Sequence, residues 1–294
     1  MTRSLASLVL AAVLSATCLS GVAHAAESAS PAKMTQTSPF FPLDNAVGRG
    51  EWSAEKQATF LQQLGFDGIS YNYTNAADIA RCRAELEKRN LKFFGLYFAV
   101  RLGQPEPLPA DFLESVRALS GSGCALWVIF PSPITAGNYD EDLVKHLRAL
   151  SALGQEHGLP VVIYPHAGFY IATAEQALRF VDQLPELPIG MTVNLSHELH
   201  AGNGHRLKEI IERAGPKMTM MTINGASDIP GKGWNNFIKP LDEGDYDVQG
   251  LLRFARNRGF TGPVGLQAYN VKLPPEENLQ RAITTWKRWA AQRP

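Results

Sequence analysis

Two histidines carry most of the acid–base potential of this 294-residue chain, His166 in "PVVIYPH" and His197 in "TVNLSHELHAG". An unperturbed imidazole titrates near neutrality, so each can take or give a proton in catalysis. Each also fits a plainer role, hydrogen-bonded where a buried strand ends. The polar residues around them are uncharged. Tyr164 stands just before His166, Asn194 just before His197, and Asn224 and Gln267 fall near the ends of two later apolar runs. Side-chain amides offer donors and acceptors without charge. Three of them at one mouth would position ligand hydroxyl or carbonyl oxygens, or else satisfy strand-end backbone groups. Tyr71 and Tyr97 add phenols at two earlier strand ends. Asp44 is one of few acids placed to reach the same region, or to cap a turn. Trp234, in "GKGWNNF" beside Lys232, is an apolar platform for a ligand ring or a plug holding its loop on the fold. His200 and His205 read as surface residues, and Glu198 as a solvated residue at a helix start.

The elements that must position these groups alternate along the chain. Short β-branched or aromatic runs occupy 40–46, 68–73, 92–100, 125–131, 160–166, 189–196, 218–225 and 263–269. Amphipathic helical patterns fill 53–64, 76–89, 110–120, 140–157, 173–184, 206–214, 247–258 and 276–290. In the fourth, Leu143, Leu147, Leu150 and Leu153 recur at helical spacing before Gly158, and in the fifth Thr173 and Gln176 form a capping-box pair. Eight nearly continuous apolar strands, each followed by a helix, predict an α/β fold, a (β/α)8 TIM barrel in a single domain. A doubly wound sheet would want a glycine-rich phosphate turn after its first strand, and "DNAVGRGEW" offers only Gly48 and Gly50. In such a barrel the chemistry belongs at the C-terminal strand ends, where the polar residues named above fall.

The order of "HGLPVVIYPH", "TVNLSHELHAG", "TINGASD" and "GFTGPVGLQAY" resembles the xylose-isomerase-like barrels over roughly residues 40–290. That family includes sugar isomerases and epimerases, endonuclease IV, and lyases or hydratases of 3-keto sugars. The resemblance implies a metal site built from a Glu after the fifth strand, an Asp after the sixth, a His near the end of the seventh and a Glu on the eighth. Here those positions fall on Tyr164, Asn194, Thr222 or Asn224, and Gln267, while His166 and His197 keep the places of the motif histidines. Every acidic ligand position is therefore neutral. Hard cations are held by charged oxygens, and transition metals by imidazole, thiolate or carboxylate. The expectation is no resident metal, or a divalent ion held weakly by the two imidazoles.

Residues 1–25 combine Arg3, an apolar run from Leu5 to Ala16 too short to span a bilayer, and a small-residue "AHA" end. They read as a signal peptide, with 26–39 as a flexible leader and 40–294 as the barrel, which places the mature protein in the periplasm or outside the cell. Formal charge is zero, and about −1 once Arg3 is removed, so the basic footprint of a nucleic-acid binder is missing. No later stretch predicts a membrane helix. Cys82 and Cys124 remain as a pair of buried thiols or a disulfide. A serine-hydrolase elbow, paired glycosidase carboxylates, the zinc-protease helix motif and a P-loop are all absent. For a secreted barrel the resemblance implies isomerisation, epimerisation or elimination on a small carbohydrate or keto-sugar. His166 and His197 would be acid and base, and Asp44, Tyr71, Tyr97, Tyr164, Asn194, Asn224, Trp234 and Gln267 would contact substrate. The other reading is a carbohydrate-binding barrel that has lost catalysis.

Overall fold

Eight short apolar runs form eight strands because each is buried on both faces. The structure, a computed structural model, describes residues 38–132, 137–229 and 233–292. The segments read as signal peptide and leader lie outside the described residues up to position 37, as does Lys232. Ser38 is buried, and the Pro39 carbonyl accepts a hydrogen bond from Val264 N at 2.8 Å, so the chain is already part of the barrel there.

The strands are β1 (Phe40–Pro42), β2 (Gly68–Asn72), β3 (Lys92–Ala99), β4 (Ala125–Ile129), β5 (Val161–Ile163), β6 (Ile189–Asn194), β7 (Met218–Ile223) and β8 (Val264–Leu266). All pair in parallel, in the order β1-β8-β7-β6-β5-β4-β3-β2. The ten helices among the described residues are α1 (Ala54–Leu64), α2 (Ala76–Glu87), α3 (Phe112–Leu119), α4 (Asp140–His157), α5 (Ala174–Gln183), α6 (Leu195–His200), α7 (Leu207–Ala214), α8 (Trp234–Phe237), α9 (Val248–Asn257) and α10 (Pro275–Ala291). This is the predicted (β/α)8 barrel.

The seam between β1 and β2 closes by side chains more than by a ladder. One parallel bridge joins Leu43 to Ser70. Below it, Phe40 N donates to the Asp67 carboxylate at 2.7 Å, and above it Asn72 N donates to Asp44 Oδ2 at 3.0 Å. These two carboxylates satisfy backbone donors that a longer ladder would have paired.

Alternation along each strand sorts the core into two shells. Phe41, Trp127, Val162, Tyr164 and Met220 pack inside the barrel, while Leu126, Val128, Val161, Ile163 and Val193 pack outward under the helices. Trp127 fills the middle, and Gly95 on β3 makes room, since a Cβ there would come within 2.9 Å of the indole. The inner face of β6 carries Thr192, which accepts from Trp127 Nε1 at 2.6 Å, and then Asn194.

Several strands are shorter than their apolar runs. Asp44–Ala46 curls into a 3-10 turn, and β5 ends before Pro165, which has no N–H to continue the ladder. After β6 no loop intervenes. Asn194 accepts from His197 N and starts α6 at once, so Leu195 and Ser196 are helical and not strand as predicted. That cap brings His197 back over the barrel mouth. Cys82 and Cys124 are both free thiols. No described helix is long and apolar enough to cross a membrane.

Candidate active site

The C-terminal mouth holds a cavity of about 400 Å³, within the roughly 300–1,000 Å³ range of small-ligand pockets. Its lining brings together Asp44, Tyr71, Tyr97, Tyr164, His166, His197, Trp234 and Gln267, as the sequence predicts. Asn45, Arg49, Asn72 and Tyr269 join them.

Asn194 and Asn224 do not line this cavity, and both are fully buried. Asn194 spends its oxygen on Ser196 Oγ and His197 N and its amide nitrogen on the Tyr164 hydroxyl. Asn224 donates to the Gly225 and Phe237 carbonyls at 2.7 and 2.6 Å, which latches α8 beneath the mouth. Their expected contact with substrate gives way to burial: Asn194 is engaged by internal bonds at both amide atoms, while Asn224 Oδ1 is buried away from the cavity with no hydrogen-bond partner. Glu198 is corrected as well: it is buried rather than solvated. It accepts from Ala174 N at 2.6 Å and Asn203 Nδ2 at 2.8 Å, bracing α5, and burial raises its pKa.

The cavity floor is a neutral knot centred on the Tyr164 hydroxyl. Asn194 Nδ2 donates to it, and so does Gln267 Nε2 at 3.4 Å. The amide orientations are fixed by backbone chemistry, because an N–H can only donate. Gln267 Oε1 takes Ala268 N and Tyr269 N, each at 3.0 Å, and also the Asn45 amide. Asn194 Oδ1 likewise takes His197 N at 3.4 Å. Both amides therefore aim hydrogens, not lone pairs, at the point where a cation would sit. Burial holds the Tyr164 phenol far above its usual pKa, so it keeps its proton. A divalent cation needs converging lone pairs and negative charge, and these residues do not fit one. Among the described residues, no group of three or more His, Cys, Asp or Glu side chains is arranged to hold a metal.

The two histidine rings are in tilted contact, centroids 4.2 Å apart and planes inclined by 43°. One backbone unit sets both tautomers. The Ala167 carbonyl accepts from His166 Nδ1 at 2.9 Å, so that nitrogen carries the proton and Nε2 is a lone-pair acceptor. The Ala167 N–H donates to His197 Nδ1 at 3.2 Å, so His197 carries its proton on Nε2. The pair is thus one proton acceptor and one proton donor, both neutral. Trp234 braces the donor. Its indole sits edge-on to His197 at 5.3 Å and stacks on the exposed His200 at 4.4 Å. It is both a cavity wall and a loop plug.

Burial pushes His166 below the ordinary imidazole value of 6.5, although its bond to the Ala167 carbonyl works the other way. His197 is pushed well below it by burial, with the nearby His166 and His200 adding to the effect. The folded pKa is depressed, so below about pH 6.5 the unfolded chain binds protons that the native chain refuses. We therefore expect stability to fall as pH drops from about 6.5 towards 5, by up to about 1.4 kcal/mol per pH unit for each histidine. Denaturant midpoints at pH 7.5, 6.5 and 5.5 measure this, and His197→Gln should flatten the slope. An unchanged slope in that variant contradicts the assignment.

Arg49 is a cavity-lining residue that sequence reasoning missed. It is half-exposed and paired with Asp44, whose other oxygen holds Asn72 N. Gly48 and Gly50 flank it with φ of 61° and 79°, left-handed values that let the loop double back over the mouth. The signal was visible as a basic residue between two glycines after the first strand.

A family model described as a xylose isomerase-like TIM barrel matches residues 58–289. Inosose dehydratase from Clostridium perfringens (strain 13 / Type A) is 22% identical over 257 residues, covering 71% of this chain and 86% of that protein. D-allulose 3-epimerase from Methylomonas sp. superposes with a TM-score of 0.69 at 15% identity, over 86% of this chain and 98% of the other. The apo form of 3-keto-D-glucoside 4-epimerase from E. coli gives 0.68 at 13% identity, over 86% and 99%.

Proposed function

The chain belongs to the xylose isomerase-like TIM barrel family, and from that premise we propose that it is a sugar-modifying enzyme working by proton transfer without a resident metal. The observation that carries this reading is the opposite tautomers of His166 and His197. Substrate is a keto-sugar bound in the mouth. His166 Nε2 takes the proton from the carbon beside the carbonyl, and that C–H electron pair moves into the carbon chain. His197 Nε2–H, on a buried imidazole, hydrogen-bonds the oxygen on which negative charge gathers. Returning the proton to the neighbouring carbon, as a hydroxyl proton passes from one oxygen to the other, gives an isomer. Protonation of the same carbon from the opposite face by water, with His166 giving its proton up to solvent, gives an epimer. Expelling a β-hydroxyl, with the proton leaving as part of water, gives dehydration.

Three features support this class. Relatives and structural neighbours act on inosose, D-allulose and 3-keto-D-glucoside by their names. The cavity wall mixes aromatic faces of Tyr97 and Trp234 with hydrogen-bonding groups, as a sugar requires. Asp44 and Arg49 offset each other, so the mouth favours an uncharged ligand. A periplasmic or extracellular setting, from the signal-like residues 1–25, completes the proposal.

The test is exchange of solvent deuterium into a panel of ketoses, inososes and 3-keto-glucosides, read by NMR. Exchange at the carbon beside the carbonyl is the expected result. Sugars that bind but never exchange would instead establish a carbohydrate-binding barrel without catalysis.

A further inference from the structure

Beside the main cavity the mouth carries a second recess of about 310 Å³, between the loop after β1, the loop after β8 and the start of α10. Asn45, Arg49 and Tyr269 line both spaces, so the two adjoin across a shared wall. Three observations mark the recess as built to hold something. Tyr269 is 59% exposed, the most exposed large apolar side chain among the described residues, and it stands at the junction. Asn278 lines the recess, is only 3% exposed, and its amide oxygen has no hydrogen-bond partner. A buried acceptor left unpaired costs stability unless a ligand or water supplies the hydrogen. Asn270 holds the left-handed region at φ 62°, and its amide donates to Asn235 at 3.2 Å, which ties the Tyr269 loop to α8.

The chemistry of the recess selects its occupant. Arg49 is the cation there, and Asp44 and Glu51 offset it, so an anionic group has no excess positive charge to meet. An aromatic face with amide and guanidinium hydrogen-bonding groups suits a polyhydroxylated ring.

We propose that this recess is a second sugar subsite, and that the natural ligand is a glycoside of at least two rings. One ring enters the His166–His197 cavity. The other lies against Tyr269, with a hydroxyl donating to Asn278 Oδ1. This rests on the carbohydrate reading of the main cavity, which supplies the first ring.

Calorimetric titration of the full chain with glucose, cellobiose, maltose and trehalose tests it. At least one disaccharide should bind about tenfold more tightly than glucose. Asn278→Leu, which removes the unpartnered oxygen, should cut that preference severalfold while glucose affinity and melting temperature hold. Tyr269→Ala should weaken the disaccharide more than glucose, and it keeps the test alive should the buried substitution misfold. If glucose binds as tightly as every disaccharide, or both variants leave the preference intact, the second subsite is overturned and the carbohydrate reading stands. If none of the four sugars binds, the second subsite is overturned, and the keto-sugar reading is judged by the deuterium-exchange panel alone.

Discussion

Replacing His166 by Asn should lower turnover about 10²–10⁴-fold while leaving substrate affinity within a few-fold, the usual cost of removing a positioned general base. The asparagine amide can still donate to the Ala167 carbonyl, which His166 Nδ1 holds at 2.9 Å, so the local fold is kept and the Nε2 lone pair alone is lost. His197→Asn is the complementary change. Its side-chain oxygen can accept from Ala167 N, as His197 Nδ1 does at 3.2 Å, but the donor at Nε2 is gone. Loss of one such donor costs about 10²–10³-fold in turnover. The pH profiles separate the two roles. With His166 pushed below 6.5 by burial, the acid limb of kcat/KM should lie below pH 6.5 in the native protein and vanish in the His166→Asn variant. A kcat unchanged in both variants would remove these residues from the chemistry.

Tyr164→Phe should be the most damaging small substitution to stability, because it deletes one oxygen and strands two buried amides. Asn194 and Gln267 both donate to that hydroxyl, and neither can turn, since their oxygens are held by backbone N–H groups. Each stranded donor costs about 1–3 kcal/mol, so the sum is about 2–6 kcal/mol. For a chain of this size that corresponds to a melting-temperature loss on the order of 10 °C. The companion variant Tyr164→Phe with Gln267→Leu removes a donor as well as the acceptor, and should recover part of the loss. A fully stable single variant would mean that the phenol is not the centre of the floor.

How much of this could be read from residues alone depends on what each residue touches. The strands and helices were legible because their signals are local. Leu143, Leu147 and Leu150 mark a buried stripe of α4, and the Thr173–Gln176 capping box is present as read. The polar ring of strand ends was legible too, since Tyr164, His166, His197 and Gln267 do meet in one cavity. What each polar group does there was not, because that is decided by a partner far along the chain. Asn194 meets a phenol thirty residues away, and Asn224 meets the Phe237 carbonyl. Residue type gives an amide its capacity for hydrogen bonds, but only the fold says whether that capacity is already used. Arg49 escaped for the same reason, since its place over the mouth depends on two glycines in left-handed conformations. The tautomers of the two histidines depend on the backbone N–H and C=O of one residue, Ala167, which no side-chain pattern encodes.

As proposed, proton transfer runs on a neutral histidine pair above a floor whose cation position is filled by hydrogen bonds. The most direct measurement is the rate of solvent deuterium exchange into a keto-sugar substrate before and after exhaustive chelation, then with added Zn²⁺, Mn²⁺ or Mg²⁺. The account predicts the same rate within about twofold in every condition, and a loss of about 10²–10⁴-fold in His166→Asn. Exchange that disappears on chelation and returns with a divalent ion would contradict it.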